Sequence, residues 1–533
     1  MNTKMKKGMI LTLFVAFFTM MFASNKTAID YYESGDLEKA KSLFLAAPSL
    51  DAMDYYYLGQ IFLREKNTGE ATKSFNKGLQ ADPTNLYNSV GLAAIQMATD
   101  QKGADKALKS ISKNKLYKKN PQMQVAIAEA YARNNNVEKM QSYLAKAKKA
   151  DKKSALPYIL EGNLLMEQGN GNEAAVQFEN ARYFNPNSKI ALVKLAQLYV
   201  GTKRQIAFDY LDRATAIDPN YEYGWKTQAD LRREVGFYPE AKAAFEKYLS
   251  LVKPTPQDQQ IYGQILYFAE DYDAAMDALA KAPVNTVTNR LKMYSRYNQQ
   301  QFEEALPLAK TLVETAPKAE LIFQDYAYFA DMLNKTKDYI NAAKYLEQAY
   351  LLDTTRTSTI TDIARAYDRA KEYPKAIEYY TKAIEVNPEH TMADIYQLAT
   401  AYYSAGTDTV ATPDAQKRTE CLTKASETYG EMATLFPDHY LGLFSQARVN
   451  SAMDPETKGR AKPYYEKVLP LLMKTPDERK KEILEVYQYM GIYYLKRDDY
   501  SKSRSYWLKV QELDPKNAIA KQVITSIDAA RKR

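Results

Sequence analysis

Three stretches of the chain repeat one alternation of apolar and polar positions: LGQIFLREKNTGEATKSFNKGLQADP (58–83), IARAYDRAKEYPKAIEYYTKAIEVNP (363–388) and MGIYYLKRDDYSKSRSYWLKVQELDP (490–515). Each begins with a large apolar residue followed by Gly or Ala, with an aromatic three residues on (Phe62, Tyr367, Tyr494). Nine residues further comes a small residue (Ala71, Ala376, Ser503), and four after that an aromatic (Phe75, Tyr380, Trp507). Spacings of three and four place side chains on one face of an α-helix. Gly or Ala at a crossing lets two helices approach closely, and the aromatic fills the space beside it. The pattern therefore predicts pairs of packed helices. Each unit closes on Asp-Pro or Asn-Pro. Proline lacks an amide hydrogen and pushes the residue before it out of helical geometry, so each Pro is expected to end one pair and start the next. Asp82, Asn185, Asp218, Asn387 and Asp514, in front of those prolines, read as N-caps.

The ladder covers nearly the whole chain. The small residue of the first helix recurs at Ala28, Gly59, Ala128, Gly162, Ala196, Ala229, Gly263, Ala330, Ala364, Ala399, Ala447 and Gly491, many steps being 33 to 35 residues. That of the second helix recurs at Ala40, Ala71, Ala174, Ala207, Ala241, Ala275, Ala305, Ala342, Ala376, Ala425 and Ala461. At these offsets the chain resembles the tetratricopeptide repeat, a 34-residue helix–turn–helix unit. About fourteen units fit between Thr27 and Pro515. The resemblance implies an all-α fold, a right-handed α-solenoid whose first helices line a concave groove. The last stretch reads as the capping helix that such an array needs at its end.

The expected organisation is a leader over 1–23, N-terminal units over 24–85, a degenerate unit or joint over 86–120, a central array over 121–405, a loop insertion over 406–420, C-terminal units over 421–516 and a cap over 517–533. The unit at 86–120 keeps the length but matches weakly, with anchors at Ala93, Ala107 and Ile111. The unit at 284–317 has Met293 and Ala309 where small and aromatic residues are expected. The stretch Ser404 to Thr419 is polar with Gly and Pro, hence a loop.

Composition narrows the function. The 533 residues include 44 Tyr but two His and one Cys, Cys421, which argues against His-based catalysis, a disulfide or a multi-cysteine metal site. No phosphate-binding glycine loop, nucleophile elbow or zinc-binding pair occurs, so no enzyme, cofactor or metal is expected. Lys4, Lys6 and Lys7 precede an uncharged apolar run from Met9 to Ala23, too short to span a bilayer. This reads as a secretory signal peptide cleaved after Ala23, with an uncleaved anchor as the alternative. The expected location is a Gram-negative periplasm. Loss of the three lysines takes the net charge from +8 to +5, with no block of like charge, so no nucleic-acid partner is expected.

What remains is binding. The resemblance assigns the groove to non-packing positions of the first helices. Carried onto this chain these are Tyr56, Tyr57, Arg64, Arg233, Tyr267, Tyr294, Tyr297, Tyr328, Asp331, Asp362, Arg365, Arg369, Tyr396, Tyr403 and Arg448. Tyr and Arg dominate binding hot spots. The expected function is a non-enzymatic exported scaffold that holds a protein or peptide partner, for an envelope assembly or transport system. A glycan- or peptidoglycan-binding solenoid and a self-association module are the alternatives. The clamp by which some members grip a partner's C-terminal carboxylate is absent from any three consecutive units.

Overall fold

The computed structural model describes residues 25–387, 389 and 391–530; the leader over 1–23 and His390 lie outside the described residues. Among the described residues all regular structure is helical. Contacts divide the chain into two compact units, one ending at Pro283 and the other starting at Val284.

Unit 1 holds eight helix pairs. They are α1 (25–34) with α2 (Leu37–Ala46), α3 (Ala52–Arg64) with α4 (Thr68–Ala81), α5 (Tyr87–Gln96) with α6 (Gln101–Lys113), and α7 (Pro121–Arg133) with α8 (Val137–Ala150). Next come α9 (Leu156–Glu167) with α10 (Gly171–Phe184), α11 (Lys189–Tyr199) with α12 (Arg204–Ile217), α13 (Glu222–Glu234) with α14 (Tyr238–Leu251), and α15 (Pro256–Phe268) with α16 (Tyr272–Leu279). Unit 2 holds six more: α17 (Thr286–Asn298) with α18 (Phe302–Thr315), α19 (Phe323–Lys335) with α20 (Tyr339–Leu352), and α21 (Ser358–Arg369) with α22 (Tyr373–Val386). They continue with α23 (Met392–Thr407) and α24 (Ala415–Leu435), α25 (Tyr440–Ala452) and α26 (Lys462–Leu472), and α27 (Lys480–Leu495) and α28 (Tyr500–Leu513). A last helix, α29 (Ala518–Ala530), packs on α28. The all-α solenoid of about fourteen units with a terminal helix is therefore borne out.

The small residues do what the pattern requires. Every second-helix alanine named above, from Ala40 to Ala461, is fully buried. A Cβ on Gly162 would lie 2.7 Å from the Phe178 ring, and one on Gly491 would lie 2.7 Å from the Trp507 indole. Phe75 presses against Gly59 of its own pair and against Gly91 of the next. Within most pairs the helices are joined by a recurrent turn with a left-handed residue, Gly35 at φ 94° and Lys371 at φ 62° among them. There the amide of Asn67 donates to the Phe62 carbonyl at 2.8 Å and that of Glu372 to the Tyr367 carbonyl at 2.9 Å, which satisfies carbonyls a helix end leaves free.

Three sequence expectations change. The acids and amides before the prolines are not N-caps. Asp82, Asn185, Asp218, Asn387 and Asp514 are the C-caps of second helices, and Asp82 accepts from the Thr84 amide at 2.8 Å, forming a turn ahead of α5. The side chain of a residue before Pro reaches the amide beyond it, so the turn is spent before the helix begins. In the weakly matching unit, the buried second-helix pair is Ala104 and Leu108, three residues before Ala107 and Ile111. Its first helix is anchored through Asn88, fully buried and donating to the Ala52 carbonyl at 2.7 Å. The insertion is mostly helix: α23 runs to Thr407 and α24 starts at Ala415, leaving 408–414 as the loop. Asp408 and Asp414 tie down its two ends by accepting from Val410 and Gln416 amides.

Candidate functional site

In unit 1 the first helix, α1, is covered by first helices from much further along the chain. α1 folds against α11 and α13, more than 150 residues further along the chain. Lys189 on α11 pairs with Asp30 at 2.7 Å and with Asp218 at 2.8 Å, and all three side chains are 14–17% exposed. The hydroxyls of Ser34 and Tyr221 share a hydrogen bond of 2.7 Å, and Tyr31 meets Tyr223 edge-on at 5.7 Å. This clasp draws the coil of unit 1 shut on its own first helix.

The groove positions of α3 consequently become inner wall. Tyr56 and Tyr57 are 5% and 6% exposed. The Gln122 amide donates to the Tyr57 hydroxyl at 3.2 Å. Arg64 donates to Glu129 at 2.9 Å, and Arg133 holds Glu167 beyond it. Burial pushes the Glu33 carboxyl up to about 7, helped by the charge of Asp30. Burial, then the charge of Arg64, brings the Lys194 ammonium down to about 8. At the far end of unit 1, Arg233 donates to Gln264 at 3.0 Å. Tyr267 packs on Phe268, whose ring stacks on Tyr238 at 5.0 Å.

In unit 2 the first helices are bonded to their immediate neighbours. Arg290 on α17 donates twice to Asp325 on α19 at 2.8 Å, and Tyr294 donates to the same carboxylate at 2.9 Å. Tyr294 is thereby buried, 8% exposed, rather than presented. Tyr297 stacks on Tyr328 with centroids 3.9 Å apart and donates to Asp331 at 2.8 Å; Lys335, one turn along the same helix, pairs with the same Asp331 oxygen at 3.5 Å. On α21, Asp362, Arg365 and Arg369 are exposed, and Arg365 reaches Gln397 on α23 at 3.2 Å. Tyr396 leans on Tyr429, and Tyr403 is half-buried. On α25, Arg448 lies over the buried Phe444 ring and grips Glu485 of α27 at 2.6 Å.

Reading the repeats missed the acidic partners in this row, Asp325 and Glu485. Asp325 had a signal. It stands third in its helix and accepts from the Ile322 amide, and Asp54, Asp258 and Asp394 take the same place in α3, α15 and α23. A carboxylate there complements the helix dipole. Glu485 had none, because its role depends on the neighbouring repeat.

The assembled chemistry is that of recognition. Tyrosine rings, exposed guanidinium groups and carboxylates lie along consecutive helices. Among the described residues no group of three or more His, Cys, Asp or Glu could hold a metal, and no helix is long and apolar enough to cross a membrane. His439 caps α25, its Nδ1 accepting from the Leu441 amide at 3.3 Å. Burial pushes the Cys421 thiol up, away from the thiolate form.

Models of the tetratricopeptide repeat match residues 25–85 and 361–390. The chain is 26% identical over 141 residues to the photosystem I assembly protein Ycf3 of Prochlorococcus marinus, covering 26% of this chain and 81% of that protein. It is 24% identical over 178 residues to a TPR repeat-containing protein of Methanocaldococcus jannaschii, covering 32% of this chain and 31% of that one. Among solved structures, the C-terminal part of a TPR repeat-containing protein from Cytophaga hutchinsonii is 25% identical, covers 50% of this chain and 99% of its own, and superposes with a TM-score of 0.38.

Proposed function

We propose that this member of the tetratricopeptide-repeat superfamily is an exported, non-enzymatic adaptor whose unit 2 binds a segment of a partner protein along its first helices. Tetratricopeptide repeats are protein-interaction scaffolds, and stacked repeats offer a long preformed surface at little ordering cost. The observation that carries the reading is exposure. Asp362 and Arg365 side chains are 54% and 48% exposed and that of Arg448 is 55% exposed, whereas the equivalent α3 tyrosines of unit 1 are buried. Arg365, Arg369 and Arg448 would take carboxylates or carbonyls of the partner; Tyr297, Tyr328, Asp331, Tyr396 and Tyr403 would supply flat apolar area and acceptors. Arg233 and Tyr267 form a separate polar–aromatic patch on unit 1. Export rests on the basic start and the apolar run to Ala23, and it would place the adaptor in an envelope assembly or transport system of the periplasm.

A photo-crosslinking amino acid at position 369 of the exported protein tests the reading, with position 344 on the second helix α20 as control. The expected result is one defined envelope protein captured from 369, not from 344, and lost in the Arg365→Ala/Arg448→Ala variant. Capture from 344 alone, or capture that the double variant leaves unchanged, would overturn it. N-terminal sequencing of the envelope fraction checks export; a chain that begins at Met1 would overturn that part.

A further inference from the structure

The closed coil of unit 1 contains a cavity of about 100 Å³, enough for several water-sized atoms. Its walls include Tyr32, Tyr56, Tyr57, Tyr87, Glu33 and Arg64. The tyrosines form a continuous run: Tyr32 to Tyr57 at 5.0 Å, Tyr57 to Tyr56 at 5.5 Å and Tyr56 to Tyr87 at 5.4 Å between centroids. The Tyr32 side chain is 7% exposed, and its hydroxyl is buried with no hydrogen-bond partner. A buried hydroxyl left unpaired is costly, so a native structure that keeps one invites a guest.

Charge says which guest. Arg64 is committed to Glu129 at 2.9 Å. The cation whose charge Glu33 feels, Lys189, is committed to Asp30 and Asp218. Glu33 accepts from the Tyr57 hydroxyl and, above neutral pH, faces the cavity as a carboxylate. We propose that this cavity receives an alkylammonium group, with Glu33 as counter-ion, the Tyr32 hydroxyl as acceptor and the tyrosine rings as walls. Rings attract cations through their faces, more strongly once water is excluded. A wider space of about 620 Å³ shares Gln122, Leu156, Ile159 and Ile190 with the cavity and leads to it. Lys119 and Lys153 at that mouth are exposed to water, which screens their charge. The site stands apart from the first-helix row of unit 2 and does not depend on its binding a partner.

Glu33 is faced by Asp30 on its own helix, Tyr57 and Arg64 on α3, Tyr87 on α5, Glu129 on α7, Lys189 on α11 and Tyr221 before α13. With its carboxyl held up to about 7, the site carries its full charge above neutral pH and loses it in mild acid.

Calorimetric titration of the chain from residue 24 with n-butylammonium chloride tests the proposal, against n-butanol and sodium chloride at matched ionic strength. The expected result at about pH 8 is saturable binding of one butylammonium, about tenfold weaker binding of butanol, and about tenfold weaker butylammonium binding in Glu33→Gln. Binding should also weaken several-fold at about pH 5.5. Circular dichroism and a cooperative unfolding transition of unit 1, read at Trp225, establish that the near-isosteric variant is folded; Tyr32→Phe, which deletes one atom, should lose affinity several-fold as a second check. Equal binding of butanol, unchanged affinity in Glu33→Gln, or no saturable binding of butylammonium would each overturn the proposal. Comparison of Ac-Gly-Lys-Gly-NH2 with Ac-Gly-Gln-Gly-NH2 identifies the source: tighter binding of the lysine peptide than of butylammonium assigns a polypeptide side chain, and the reverse assigns a free amine.

Discussion

In unit 1, Lys189 on α11 reaches Asp30 on α1, 159 residues back along the chain. In unit 2, Arg290 reaches Asp325 and Arg448 reaches Glu485, partners 35 and 37 residues away on the adjacent first helix. The two units use the same helix pair, the same buried alanines and the same left-handed turn. A clasp of one lysine, two aspartates, a serine and three tyrosines makes the first a closed coil with an interior. Neighbour-to-neighbour pairs in the second seal Asp325 but leave Arg448 and, on α21, Asp362 and Arg365 about half-exposed to water. The repeat supplies the stack; a few long-range side chains decide what becomes of its first-helix face.

The largest expected effect breaks the comparison at its shared core. Phe75→Ala empties the space between Gly59 and Gly91 and should cost unit 1 about 3–5 kcal/mol. Each unit has one tryptophan, Trp225 on α13 and Trp507 on α28. Urea unfolding followed through single-Trp variants should show the Trp225 transition moving to lower urea with the Trp507 transition unmoved. A joint shift would mean that coupling runs well beyond nearest neighbours.

Next in size is the clasp itself. Lys189→Met leaves Asp30 and Asp218 largely buried without their shared cation, a loss of about 2–4 kcal/mol, and should deprotect the α1 amides in hydrogen exchange. The counterpart in unit 2, Arg448→Met, removes an exposed pair and should cost under about 1 kcal/mol, with local protection kept. Similar losses in both would erase the distinction drawn between the units.

Acidity sharpens it further. The folded chain keeps the Glu33 proton up to about pH 7, while an unfolded glutamate releases it near about 4.3. Between those values the folded state holds more protons, so this group lowers the stability of unit 1 as pH rises, by at most about 4 kcal/mol, and the loss is complete above neutrality. Glu33→Gln should therefore stabilise unit 1 at about pH 8 and change little at about pH 4. Chemical denaturation at the two pH values measures the difference; a gain at acid pH instead would reverse the assignment. The smallest effect is at a turn. Lys371 holds φ at 62°, a region glycine enters freely, so Lys371→Gly should be neutral to stabilising by up to about 1 kcal/mol in unit 2.

The helix pairs were legible because their causes are local. Gly59 with Phe75, Gly162 with Phe178 and Gly491 with Trp507 each lie 16 residues apart, within one unit, and the contact follows from that spacing. Boundaries were less legible where side chains compete for the same amides or where packing decides: Asp82 organises a turn instead of starting α5, and burial of Ala405 and close packing of Gly406 against Leu422, with helix propensity in AQKRT, absorb most of the apparent insertion. The groove residues were named from repeat position, and position does not say whether a face is open. Tyr57 holds the place that Tyr328 and Asp362 hold, two residues before the small residue of the first helix, yet of the three only Tyr57 is sealed beneath α1.

The sequence by itself determined the repeating unit, its packing residues and the number of pairs, because small-to-aromatic contacts at fixed spacing need no distant partner. Only the tertiary structure decided that Lys189, Asp30, Ser34 and Tyr221 meet, that the coil they close contains a tyrosine-lined cavity with Glu33 at its wall, and that Asp362, Arg365 and Arg448 stay in water. Those outcomes depend on the accumulated twist over six helix pairs, a sum of small rotations that no single repeat records.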